Sequence, residues 1–142
     1  MRIFNKRASF DYELGEHFEA GINLLGAEVK AVKLGHADLT GSHLRLIGME
    51  AFLVGASIFP YKYARPEQYD ERRTRKLLLH KSQILGFRHK MEGATLTLVP
   101  ISLYTTGNLI KLEIALGKGK KKYVKKEAKK KKDLQRELER DL

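Results

Sequence analysis

The chain has 142 residues, enough for one domain and an arm, and its 28 lysines and arginines outnumber 17 aspartates and glutamates for a formal net charge of +11. It contains no run approaching the ~20 apolar residues of a membrane-spanning helix and no apolar N-terminal segment typical of a secretory signal, so we expect a cytoplasmic protein. The absence of cysteine excludes disulfides and thiolate metal sites.

The positive charge is concentrated near the C-terminus. Residues 117–142 contain 12 basic and 5 acidic residues, which accounts for +7 of the total. A lysine run is often only a solvated surface, but charge this dense also favours a polyanionic partner, above all a nucleic acid.

The first half of the chain is predicted to form a strand, a helix and a hairpin. Apolar and polar residues alternate over 17–24, which predicts a half-buried strand. Leu25, Val29 and Val32 then have the spacing of one helical face, and Gly35 is expected to end that helix. Residues 38–47 and 51–59 are rich in apolar residues around a turn-like Gly-Met-Glu, which predicts a hairpin.

The second half is predicted to contain a long loop, a helix and a second hairpin. Residues 60–74 show no periodicity and include two prolines. Ile84, Phe87 and Met91 then share a helical face, with Ser82 as the expected cap and Gly93 as the end. The segments 96–104 and 108–116 flank Thr-Thr-Gly as a hairpin, in which Pro100 indicates an edge or a bulge.

These elements predict a mainly β fold. Short antiparallel strands with a helix inserted before the last hairpin are typical of a small closed or partly closed β-barrel of the oligonucleotide-binding kind. We therefore expect such a barrel, with two or three helices, over residues 1–116 and a basic tail over residues 117–142.

Patterns of enzymatic or metal chemistry are not found in the sequence. The five histidines lack the spacing of a zinc site, and no Gly-x-Ser-x-Gly motif occurs. Glu19, Glu28 and Asp38 leave an RNA-processing enzyme open as an alternative. Because acidic residues on a strand's outer face are usually only solvated, we expect no catalysis, no cofactor and no metal.

Basic and aromatic residues favour RNA. Asn5, Lys6 and Arg7 combine two charges with an amide that both donates and accepts hydrogen bonds. A second cluster joins basic residues to rings on which bases stack. Its members are Arg72, Arg73, Arg75, Lys76, Tyr61, Tyr63 and Tyr69.

Five blocks of the sequence, taken in order and at these intervals, point to one family. They are Phe-Glu-Ala-Gly at 18–21, Ala-Glu-Val-Lys-Ala-Val-Lys-Leu-Gly at 27–35, Arg-Lys-Leu-Leu-Leu-His at 75–80, Leu-Thr-Leu-Val-Pro-Ile-Ser-Leu-Tyr at 96–104 and Gly-Lys-Lys-Lys-Tyr at 119–123. Together they resemble the SsrA-binding protein (small protein B) family of bacterial trans-translation. The resemblance implies an RNA-binding barrel that grips the transfer-like domain of transfer-messenger RNA. It also implies delivery of that RNA, with elongation factor Tu, to stalled ribosomes, without catalysis.

Carried over by position, the resemblance implies a set of RNA-binding residues. They are Asn5, Lys6, Arg7, Glu19, Glu28, Lys30, Arg75, Lys76, Leu78 and Lys111. Ala31 departs from the serine usual in the family. For Glu19, we expect hydrogen bonds from base or ribose donors, or the orientation of a neighbouring cation.

The tail is expected to bind the ribosome. Its predicted contact residues are Lys118, Lys120, Lys121, Lys122, Tyr123, Lys125, Lys126, Lys129, Lys130, Lys131, Lys132 and Arg136. We predict a tail that is disordered when free, because its lysines repel one another, and helical in the messenger channel. Val124 and Lys126 replace the Asp and Arg common in the family. The alternative is a general RNA- or ribosome-binding barrel without a dedicated RNA.

Overall fold

Three long strands form the centre of the fold, and the alternation of their residues separates an apolar inner face from a polar outer face. The computed structural model describes residues 2–93 and 95–120. Its strands are β1 (Arg2–Phe4), β2 (Tyr12–Ile22), β3 (Ala37–Asp38), β4 (His43–Ile47), β5 (Glu50–Val54), β6 (Ser57–Ile58), β7 (Arg75–Leu78), β8 (Leu96–Thr106) and β9 (Leu109–Gly119). Its helices are α1 (Ala8–Asp11), α2 (Gly26–Lys33) and α3 (Lys81–Glu92).

Seven of the strands make one antiparallel sheet in the order β1-β8-β9-β2-β7-β5-β4, and β3 pairs with β6 apart from it. In β9, Ile110, Leu112 and Ile114 are buried, whereas Lys111 and Glu113 between them are partly exposed. The period of two thus places one set of side chains in the core and the other on the outer face.

The predicted mainly β, antiparallel fold is confirmed, but the sheet of the described residues does not close into a barrel. Among the described residues, β1 and β4 are the two edges of the sheet and no ladder joins β4 to β8, although these two strands pack together. Pro100 gives a physical reason. It has no N–H, its carbonyl on the β1 side accepts from Asn5 Nδ2 at 2.8 Å, and the ladder register shifts between Pro100 and Ser102. That edge of β8 therefore cannot offer β4 a regular ladder, and the predicted bulge is confirmed.

Helices α2 and α3 add side chains to the core. Ile84 and Phe87 of α3 are buried, and the Phe87 ring meets Phe18 edge-on at a centroid distance of 4.8 Å. The predicted α3 face and its end at Gly93 are confirmed, but the helix starts after His80 instead of at a Ser82 cap.

The predicted apolar face of α2 is only partly right, because Leu25 is 41% exposed, whereas Glu28, Ala31 and Val32 are buried. The end of α2 is as predicted, since Gly35 follows it with a φ of 80°. Both predicted hairpins are present as β4–β5 and β8–β9. The predicted loop over residues 60–74 contains no helix or strand. None of the described helices is long and apolar enough to cross a membrane.

Candidate nucleic-acid interface

One row of residues crosses five strands on the outer face of the sheet. The strand registers place Arg2 opposite Tyr104, Tyr104 opposite Lys111, Lys111 opposite Gly21, and Gly21 opposite Leu78. Side chains of one row on one face are neighbours, so this outer row brings residues 2, 21, 78, 104 and 111 together. Three of the five strands in the row are the longest of the fold, which gives it a rigid support.

Glu19 connects the middle of the outer row. Its carboxylate accepts a hydrogen bond from Lys111 Nζ at 2.5 Å and another from the Tyr104 hydroxyl. The Lys111 contact, followed by that of Tyr104, lowers the pKa of Glu19. Partial burial and the Glu19 hydrogen bond raise the pKa of Tyr104 to about 12. Glu19 is therefore ionised at neutral pH and orients the Lys111 ammonium, as one of its two expected roles requires.

A second row lies beside the first and carries Glu113. This carboxylate accepts from Ser102 Oγ at 3.2 Å and lies 3.5 Å from His17 Nδ1 and 3.7 Å from Arg2 Nη1. The guanidinium of Arg2 also sits 4.4 Å from the centre of the Tyr104 ring. The outer face thus alternates cations with acceptors. That arrangement suits the hydroxyls and base edges of a folded RNA as well as its phosphates.

Gly21 keeps the row open at Leu78. A Cβ on Gly21 would lie 3.1 Å from the Leu78 Cβ, so any larger residue there displaces this leucine. Leu78 is 58% exposed, which excludes the ordinary core position that is the common alternative for a leucine. It offers the outer face an apolar contact beside Lys76, which is exposed and 3.4 Å from Glu50.

The N-terminal block divides into a structural amide and two exposed cations. Asn5 donates through its side chain to the Pro100 carbonyl and through its backbone to the Ile101 carbonyl at 2.7 Å, so it holds the β8 bulge. Lys6 and Arg7 are exposed beside it, and the Arg7 guanidinium is paired with Asp11 at 3.4 Å. Both cations lie at the surface, whereas the Asn5 side chain is engaged in the fold.

The prediction of direct RNA contact for Glu28 and Arg75 has to be revised, because both side chains are fully buried. Arg75 donates to Glu28 Oε2 from Nε at 2.8 Å, and the two groups form the centre of a network beneath the loop over residues 60–74. Tyr69 and Arg73 complete it by donating to the same carboxylate. These four residues are here called the buried clamp. They support the surface from beneath and are not part of the RNA-binding face.

Electrostatics agree with that role. Burial alone would raise the pKa of Glu28, but hydrogen bonds from Arg73, the Leu25 N–H, Tyr69 and Arg75 outweigh it and lower the pKa to about 2. The carboxylate stays charged at neutral pH and has no accessible lone pair for a substrate. It is therefore unsuitable as the catalytic acid of an RNA-processing enzyme.

The predicted aromatic and basic cluster is split by the buried clamp. Tyr69 lies inside the clamp, whereas Tyr61 and Tyr63 are 70% and 78% exposed. Lys30 is exposed on α2, away from the outer row.

Only the start of the tail falls within the described part of the chain. Lys118 belongs to β9, opposite Glu13 and Leu96, and Lys120 donates through Nζ to the Ser9 carbonyl at 2.7 Å. The strand therefore runs past the expected boundary at Leu116. The predicted contacts from Lys121 to Arg136 and the predicted tail helix lie outside the described residues.

Sequence reasoning missed Arg2 and Tyr104 as members of the site. Tyr104 had a weak signal, since the polar residues Ser102 and Tyr104 flank the apolar Leu103 near the end of β8. Arg2 had none, because a three-residue strand is too short to show a period. Over residues 2–93 and 95–120, no group of three acidic or histidine side chains is arranged to hold a metal ion.

Comparisons with known proteins agree over nearly the whole chain. A family model described as SmpB protein matches residues 2–142. An SsrA-binding protein of Persephonella marina is 46% identical, over 94% of this chain and 88% of its own. One of Oleidesulfovibrio alaskensis is 44% identical, over 97% and 89%. A solved chain from "tmRNA-SmpB: a journey to the center of the bacterial ribosome" is 41% identical, covers 85% of each chain and has a TM-score of 0.69. The family model over residues 2–142 and these relatives show that the chain belongs to the SmpB protein family.

Proposed function

We propose that this protein binds the transfer-like domain of transfer-messenger RNA through the outer face of its sheet and brings it to stalled ribosomes, where the nascent peptide is tagged. The outer row, with Glu19 fixing Lys111 between Tyr104 and Gly21, is the observation that carries the proposal. The relatives of this protein named above are SsrA-binding proteins, and a structural neighbour comes from work on tmRNA-SmpB and the ribosome.

Each part of the outer face has a chemical role in this binding. Lys111 neutralises a phosphate, Tyr104 offers a ring and a hydroxyl, and Leu78 packs against an exposed base or ribose. Glu19 orients Lys111 and accepts from RNA hydroxyls or amino groups. Lys6, Arg7 and Lys76 add positive charge around the face, and Lys30 adds positive charge on α2. Asn5, Glu28 and Arg75 act indirectly, by holding the bulge and the long loop.

The chain supplies binding and orientation only, and we propose that it catalyses no reaction itself. Elongation factor Tu joins the complex indirectly, through the charged RNA. The work takes place in the cytosol, where translating ribosomes and transfer-messenger RNA meet.

The test is to recover the protein from its own cells and sequence the RNA bound to it. We expect one abundant structured RNA, recovered in smaller amount with Lys111→Ala. Lys90→Ala is the matched control, because Lys90 is also an exposed lysine paired with a carboxylate, Glu16, at 3.0 Å. A broad mixture of RNAs, unchanged by Lys111→Ala, would favour a general RNA-binding protein and refute the proposal.

We propose that the basic tail, residues 117–142, detects a ribosome that has stalled at the end of a message. Its high density of lysine suits the RNA-lined messenger channel, which is empty only where the message has run out. We propose a helix there, because the sequence after Gly119 contains neither glycine nor proline and leucines recur every four residues at 134, 138 and 142.

Replacing Ala128 by proline distinguishes a tail that must form a helix from a tail that acts through its charge alone. An interior proline costs a helix roughly 3 kcal/mol, whereas four arginines in place of Lys129–Lys132 keep both helix and charge. We expect Ala128→Pro to abolish peptide tagging on stalled ribosomes and the arginine variant to retain it, with equal transfer-messenger RNA binding by both. Normal tagging by the proline variant would leave a charged tether as the better explanation.

A further inference from the structure

A cleft between α2 and the loop over residues 60–74 has no part in the outer row. It has a volume of about 540 Å3 and its walls come from the helix side and the loop side together. The lining residues used below are Lys30, Leu34, Phe59, Tyr61 and Lys62. None of the cleft's lining residues is acidic, and no residue of the outer row is among them.

Apolar and aromatic side chains are unusually exposed around this cleft. Leu34 is 63% exposed, Phe59 42%, Tyr61 70% and Tyr63 78%. The Tyr61 and Tyr63 rings meet at a centroid distance of 5.3 Å and an angle of 60°, so they support one another at the surface. A group of exposed aromatic and apolar side chains of this kind is more often a binding site than a chance feature of the surface.

Charge at the rim points to the nature of the ligand. Lys30 and Lys62 line the two sides, and Lys62 Nζ also lies 5.6 Å from the centre of the Tyr63 ring. Rings interleaved with lysines bind single-stranded nucleic acid, since each base offers a face for stacking and each phosphate a charge. A groove for an apolar protein segment would need neither lysine.

The buried clamp holds the loop side of the cleft in place. Tyr69 donates to Glu28 on α2 at 2.8 Å, and the backbone N–H of Ile58 donates to the Glu71 carbonyl at 3.0 Å. A turn then closes over Tyr61, whose carbonyl accepts from the Ala64 N–H at 2.9 Å. Both walls are thereby fixed before a ligand arrives, which lowers the ordering cost of binding.

We propose that this cleft binds an unpaired nucleobase of RNA, which stacks on Tyr61 against the apolar wall of Leu34 and Phe59, with its flanking phosphates at Lys30 and Lys62. The site is a second RNA contact, separate from the outer row. It rests on the proposed RNA-binding function and adds to it a place for a base that is not paired.

Two probes test the proposal on the full-length protein: an eight-residue oligonucleotide of 4-thiouridine for photocrosslinking, and an unlabelled octa-adenosine for affinity. We expect crosslinked peptides that contain residues 59–64. We expect Tyr61→Ala to weaken octa-adenosine binding at least fivefold and Tyr61→Phe to stay within twofold of wild type, because stacking needs the ring and not the hydroxyl. Lys30→Ala and Lys62→Ala should each lower the salt slope by about 0.7.

Leu85→Ala is the matched control for Leu34→Ala, since Leu85 is similarly exposed, at 56%, on α3. Only the Leu34 change should weaken binding. Crosslinks found solely outside residues 59–64, or octa-adenosine binding unaffected by Tyr61→Ala, would overturn the proposal and would be the result if the cleft bound a protein segment instead. Transfer-messenger RNA binding by wild type and its weakening in Lys111→Ala are measured in parallel, so that failure of the cleft and failure of the proposed function are told apart.

Discussion

Replacing Glu28 by glutamine is expected to destabilise the fold strongly, although it changes few atoms. All five N–H groups of Arg75 are engaged: Nε with Glu28, Nη1 with the carbonyls of Ala56 and Arg73, and Nη2 with Tyr69 and the Glu71 carbonyl. Glutamine removes the only carboxylate in the clamp and leaves a fully buried guanidinium without a counter-charge. Removing one partner of such a pair typically costs 3–5 kcal/mol.

The pKa of Glu28 gives an independent magnitude. A decrease from 4.5 to about 2 corresponds to roughly 3 kcal/mol of stability supplied by the ionised form, at ~1.4 kcal/mol per pKa unit. The two approaches agree in order of magnitude. We therefore expect Glu28→Gln to lower the free energy of unfolding by about 3 kcal/mol or more.

The assay is urea denaturation of full-length wild type and variant at pH 7, followed by circular dichroism. Glu16→Gln is the matched control, since Glu16 pairs with Lys90 at 3.0 Å on the exposed surface, and its change should stay within about 1 kcal/mol. If Glu28→Gln costs no more than the control, the clamp contributes no stability and the reasoning from burial fails.

Three further outcomes follow from the structure. The ionised Glu28 carboxylate contributes its full stabilisation above about pH 4.5, and this stabilisation is lost as the pH falls toward 2, because the pKa of Glu28 is lower in the folded state than in the unfolded state. Wild type should therefore lose stability over this interval, and Glu28→Gln should lose less. Lys111→Ala should weaken transfer-messenger RNA binding and reduce its salt slope by about 0.9, whereas Glu19→Ala should weaken binding with little change of slope; equal slopes for Lys111→Ala and wild type would remove the phosphate contact. A chain ending at Lys120 should melt cooperatively, and one ending at Leu116 should melt at lower temperature, since it loses the pairs of Gly117, Lys118 and Gly119 with β2; identical melting would contradict a structural role for the end of β9.

Local patterns predicted the elements that are long enough to show a period. The β8–β9 hairpin followed from its alternation and turn, and α3 from the spacing of Ile84, Phe87 and Met91. β1 and β7 were missed because three or four residues give too little pattern, and the open sheet depends on how β8 meets β4, which is a tertiary property.

The candidate site shows the same division. Glu19, Leu78 and Lys111 were chosen by resemblance, and the strand registers bring them together on one face. Glu28 was carried over from the same resemblance as an RNA-binding residue, and the structure places it in the interior. Its burial depends on Arg73 and Arg75, 45 and 47 residues further along the chain, and no local pattern reveals such a partnership.

The pairing of β1 with β8 has a consequence for the synthesis of this protein. The strand partner of Arg2 is Tyr104, which is made about a hundred residues later. At a typical 5–20 residues per second, the N-terminal strand waits on the order of 5–20 s for its neighbour. A copy translated from a message that breaks before the codon for Tyr104 therefore never completes the outer row. Such fragments lack the face through which we propose that the protein binds RNA.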